Sequence, residues 1–122
     1  MFVIWKSSIR ARLSTKVSVV LGDDYFEIRS GKKILSSTRW PEVMRATAFK
    51  ADILTTDLLC VRFDRSTNEL SSIVHGEMLG FDDFVDAMSV HLRGLDRDWH
   101  SSVMMPPFAR NEQVIWSRSD EN

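Results

Sequence analysis

The residues able to do chemistry are few and scattered. His75-Gly76-Glu77 sets an imidazole and a carboxylate two positions apart, one possible half of a metal site. Further ligands would have to come from elsewhere, such as Asp23 or Asp24, and nothing in the spacing requires that. His91 sits between Val90 and Leu92, and His100 follows Trp99; neither belongs to an HExxH-type or HxH-type motif. No metal is expected. Cys60 lies between Leu59 and Val61, where a small inert hydrophobe is the common role. A nucleophilic thiolate needs exposure and positive neighbours, and only Arg62 on the same face offers one. There is no nucleophile elbow for serine hydrolysis. Glycine occurs only at positions 22, 31, 76, 80 and 94, so phosphate-cradling loops lack their spacing. Asp23/Asp24 and Asp82/Asp83 are adjacent pairs with ordinary structural uses, at a hairpin tip and a helix start. The chain is expected to be no enzyme and to carry no cofactor.

Short elements must position whatever the chain does present. Val17–Leu21 is an apolar, β-branched run, and Gly22-Asp23-Asp24 supplies turn chemistry. Tyr25–Arg29 then alternates, with Phe26 and Ile28 on one face and Glu27 and Arg29 on the other. A turn at Ser30-Gly31-Lys32 leads to Lys33–Thr38, so an antiparallel meander opens the domain. Pro41 interrupts the run, because it cannot donate to a ladder. Val43–Lys50, Leu58–Asp64 and Glu69–His75 read as three further strands. Leu59, Val61 and Phe63 on one face and Leu58, Cys60 and Arg62 on the other place the middle one centrally in a sheet. The period then changes. Phe81, Phe84, Val85, Met88 and Leu92 form a helical stripe over Phe81–Arg93, with Asp82 and Asp83 at its start and Gly94 at its end. A shorter helix is expected at Asp96–Met104, stopped by Pro106-Pro107, and Gln113–Trp116 reads as a last strand or an extended arm.

The whole is 122 residues, 43% hydrophobic and 27% charged, the make-up of one globular domain with room for one core. No window approaches the roughly 20 apolar residues of a membrane-spanning helix. The single cysteine excludes an intrachain disulfide framework and multi-cysteine metal sites. A formal net charge of −1 gives no pull toward nucleic acid. Residues 1–16 form a basic segment, 17–94 the domain proper, and 95–122 a C-terminal helix and arm that pack on the domain or on a partner. The first 21 residues hold Lys6, Arg10, Arg12 and Lys16 and no acid. They have the look of a transit peptide but run straight into a strand, so a folded or docking segment is expected, in a cytoplasmic protein.

Six strands followed by an amphipathic helix is an α+β order. The layout resembles the pleckstrin-homology-like superfold, and Ser37-Thr38-Arg39-Trp40-Pro41-Glu42-Val43 is similar to the Trp-x-Glu-aliphatic turn between strands of its bacterial members. Ala48–Asp52, Thr55–Cys60 and Glu77-Met78 with Gly80-Phe81 resemble a group of small uncharacterised bacterial proteins. The resemblance implies a bent antiparallel near-barrel of six to seven strands, closed by a C-terminal amphipathic helix. It implies no activity, since such folds host lipid binding, peptide binding and dimerisation alike.

Aromatic residues in peripheral segments suggest contact with a partner. The expected function is therefore a non-catalytic protein-interaction or self-association module, a homodimer among the possibilities, with Trp40, Trp99, Phe108 and Trp116 as partner-binding residues. A small immunity or antitoxin protein is a special case. The alternative is an anionic lipid- or phosphate-binding module using Lys6, Arg10, Arg12, Lys32 and Lys33. A small enzyme around His75, Glu77 and Cys60 stands third.

Overall fold

A computed structural model describes residues 17–53, 56–65, 71–105 and 110–118. Among these residues seven strands lie in two antiparallel sheets. The first, in order β1-β2-β3, comprises β1 (Val17–Leu21), β2 (Tyr25–Ser30) and β3 (Lys33–Arg39). The second runs β6-β5-β4-β7, from β4 (Val43–Ile53), β5 (Thr56–Arg65), β6 (Ser72–His75) and β7 (Gln113–Ser117). Helices α1 (Phe81–His91) and α2 (Trp99–Met104) lie in sequence between β6 and β7.

The near-barrel expectation is overturned: both sheets are open, and β3 and β4 are not neighbours in either one. The break falls at Trp40–Glu42, a single tight helical turn. Pro41 fits the start of such a turn and lacks the donor that a continuing ladder would need. Trp40 turns inward there and is 3% exposed. Its ring meets Phe26 at 4.9 Å, Phe84 at 5.6 Å and Phe63 at 5.9 Å between centroids, joining the two sheets to α1. The tryptophan turn that suggested a bent continuous sheet is where the sheet divides. The pleckstrin-homology-like reading falls with it.

One core serves both sheets and both helices. Val19, Phe26 and Ile28 from the first sheet meet Ala46, Ala48, Val61, Phe63 and Val74 from the second. Phe84 and Met88 of α1 and Leu92 just past its end cover them, each fully buried. Small Ala46 and Ala48 sit opposite Phe63 and Val61 on β5, which leaves room for the helix side chains. Trp99 and Val103 of α2 and Trp116 of β7 complete the same cluster. A buried Thr38–Ser72 hydroxyl pair, 2.9 Å apart, ties β3 to β6.

The sheet edges are blunted in different ways. The backbone of Leu79 bonds Val17 and Val19, covering β1. On β3 the register steps from Ile28↔Ser36 to Arg29↔Ile34, leaving Leu35 as an extra residue. On β7 it steps from Trp116 to Val114, leaving Ile115. Such bulges disfavour edge-to-edge pairing, and β6 is only four residues long.

Most elements match the sequence reading within a few residues, and Gln113–Ser117 is a strand rather than an arm. The sixth strand is described over Ser72–His75, and Glu69 and Leu70, also expected in it, lie outside the described residues. The first helix ends at His91 rather than Arg93. Gly94, at φ +87°, lies in the turn that follows, a conformation that costs glycine little.

Candidate functional site

The residues first suspected of chemistry are separated or satisfied. Cys60 and His75 are opposite each other across β5 and β6, so they share the sheet face turned away from the core. Burial pushes the Cys60 thiol up to about 11, against a weaker lowering pull from the Ala51 backbone and Arg110. At neutral pH it is a thiol, not a thiolate, which removes the nucleophile such a pair would require. Burial lowers the His75 imidazole from its ordinary value, with Glu77 opposing. Its Nδ1 accepts the Glu77 backbone N–H at 3.2 Å and closes a tight turn. His91 stacks on Trp40, its ring 5.0 Å away and tilted by only 3°. Among the described residues no three His, Cys, Asp or Glu side chains gather as metal ligands.

The tryptophans expected at a partner surface pack inside. Trp99 is 3% exposed and Trp116 5%; the Trp116 indole N–H donates to the Arg93 carbonyl at 2.8 Å, pinning β7 to the end of α1. Their burial, with that of Trp40, gives all three a core role. Phe108 lies outside the described residues, as do Lys6, Arg10 and Arg12. Lys32 and Lys33 are exposed at the β2–β3 turn, beside Ile34 and Leu35, which are 50% and 51% exposed.

The surface feature that combines apolar and polar groups runs along α1. Phe84, Met88 and Leu92 take the centre of its stripe, leaving Phe81 and Val85 half-buried on the flank. With Leu59 of β5 and Trp99 of α2 they floor a hollow of about 320 Å³, and Asp82, Asp86 and His100 stand on its rim. A second hollow of about 400 Å³ shares Phe81 and Asp82 and continues past Asp83 to Leu79 and Gly76. The groove follows from helix spacing: Phe81/Val85 and Asp82/Asp86 are both i,i+4 pairs, so an apolar row and an acidic row lie side by side.

Gly80 sets the groove's corner. It has φ +87°, and a Cβ there would lie 2.6 Å from the Val19 carbonyl oxygen. The loop therefore passes close against β1 before the helix begins.

The border of this groove is acidic. Several carboxylates elsewhere hold cations: Glu27 with Arg29, Asp24 with Arg39, Asp64 with Arg45 and Asp57 with Lys50. Asp82, Asp83 and Asp86 are exposed and have no ion pair among the described residues. Asp82 and Asp83 complement the helix dipole; Asp86, in the second turn, is past its reach. Sequence reasoning assigned Phe81 and Val85 to the core and Asp82 to the helix start, and so missed the groove they share. The available signal was the pairing of the two i,i+4 rows.

Among the described residues no helix is long and apolar enough to cross a membrane. Compared with protein-family models, curated proteins and solved structures, the chain finds no match.

Proposed function

We propose that this chain is a non-catalytic protein-interaction module and that the α1–α2 groove is its docking surface. The observation that carries the reading is an apolar floor of Leu59, Phe81, Val85 and Trp99 beneath the acidic rim of Asp82 and Asp86. An apolar centre with a polar rim is the anatomy of a docking patch. The bulged and covered sheet edges argue for a groove over strand addition as the mode of docking. The protonated Cys60 and the turn-bound His75 support the absence of catalysis by that pair.

A photo-crosslinking side chain at position 86, compared in living cells with one at Glu27 on the first sheet, tests this. Position 86 is expected to give a discrete protein adduct and position 27 none. No adduct from position 86 beyond that from position 27 would refute the reading.

The β2–β3 turn favours the lipid alternative. Lys32 and Lys33 adjoin half-exposed Ile34 and Leu35, and Val17, where the acid-free segment enters the sheet, pairs with Ser30 at the same end. Cations beside aliphatic side chains suit an anionic bilayer surface. That reading expects salt-sensitive binding to phosphatidylserine vesicles, lost in Lys32→Glu/Lys33→Glu. No binding at low salt would dismiss it.

A further inference from the structure

Resting on the docking role just proposed, we infer that the partner is a second copy of this chain, whose acid-free residues 1–16 supply the segment that the groove receives. The argument is one of complementarity. The groove offers an apolar floor and three carboxylates without cation partners among the described residues. Residues 1–16 carry Lys6, Arg10, Arg12 and Lys16 with no acid, and Trp5, Ile9 and Leu13 recur every four positions. An amphipathic segment with anchors at that spacing is what a groove between helices accepts.

Position supports the match. Val17 accepts the Leu79 N–H at 3.2 Å, and Leu79 lines the outer end of the groove. The basic segment therefore joins the fold at the groove's mouth. Each copy carries both the donor segment and the acceptor groove, so a two-fold dimer satisfies both sites reciprocally, in the manner of exchanged elements. Attraction between opposite charges at an exposed rim also makes the association sensitive to salt.

Two readouts on the full chain test this: solution mass by light scattering across concentration and salt, and anisotropy of a labelled peptide with the sequence of residues 1–16. A dimer is expected at low salt, weakening as salt rises. Excess peptide should return it to monomer. Asp86→Lys, in an exposed mid-helix position, should weaken dimer and peptide binding by on the order of tenfold. Asp82→Asn/Asp86→Asn should weaken them in the same direction without reversing charge against the helix dipole. Unchanged thermal midpoints would confirm that both variants fold. A monomer at every concentration, or a dimer indifferent to Asp86→Lys, would overturn the inference. A monomer that still binds the peptide in an Asp86-dependent way would overturn the second copy alone and leave the docking role standing. A chain that neither dimerises nor binds the peptide would overturn the inference, and the docking role would then stand or fall on the position-86 crosslink.

Discussion

Replacing Lys50 by methionine should destabilise the domain more than any surface change. Lys50 lies in β4 with its side chain 1% exposed, and its Nζ sits 3.4 Å from Asp57, itself 9% exposed. The same ammonium donates to the Met104 carbonyl at 2.8 Å. That carbonyl closes α2, a six-residue helix whose last carbonyls have no partners within the helix. Asn111, at φ +48°, brings its amide to the carbonyls of Ser102, Val103 and Met105, so Lys50 and Asn111 together cap the helix end. Lys50→Met removes the cation facing a buried carboxylate, a change that costs about 3–5 kcal/mol. Against a total stability of about 5–15 kcal/mol that is a large fraction. Lys50→Met/Asp57→Leu removes both charges and should recover most of the loss, because a buried ion pair and a well-packed apolar pair differ little. The residue should be about 1 kcal/mol, from the helix-end hydrogen bond that stays broken. Urea unfolding of the unaltered chain and the two variants measures this. A loss below about 1 kcal/mol in Lys50→Met, or a double variant no better than the single, would refute the role given to the pair.

Three further outcomes follow from local geometry. Gly80→Ala combines a positive φ with a Cβ 2.6 Å from the Val19 carbonyl; it should cost at least about 1–3 kcal/mol by urea unfolding, and a neutral result would contradict the close approach. Native Cys60, buried and titrating at about 11, should react with Ellman's reagent at pH 8 only as fast as the chain opens, and immediately in denaturant. Rapid labelling of the folded chain would contradict that placement. His75 holds its proton less tightly folded than unfolded, because burial disfavours the cation. The unfolded chain then binds more protons, so stability should fall as pH drops from 7 toward 5, and His75→Gln should flatten that slope. A slope identical in the two proteins would remove His75 as its source.

How much was legible in the sequence depended on the range of the forces involved. The β1–β3 meander was readable because turn chemistry at Gly22-Asp23-Asp24 and Ser30-Gly31-Lys32 acts within a few residues. The stripe on α1 was readable because helical spacing is local. Sheet division was not, since β3 stops pairing through the inward packing of Trp40 on Phe26, Phe63 and Phe84, contacts distant along the chain. The same distance hid the fate of Trp116, held by the Arg93 carbonyl 23 positions earlier. Peripheral in sequence, these tryptophans are central in space. The groove went unread for a subtler reason. Phe81 and Val85 belong to the helix stripe, and only the placement of α2 leaves them half-covered.

The most direct test of self-association through the groove is an amide correlation spectrum of the full chain, followed as protein concentration rises. Shifts should concentrate on Phe81, Asp82, Val85, Asp86 and His100 and reverse as salt is added. Shifts confined to Lys32–Leu35, or a spectrum that does not change with concentration, would contradict it.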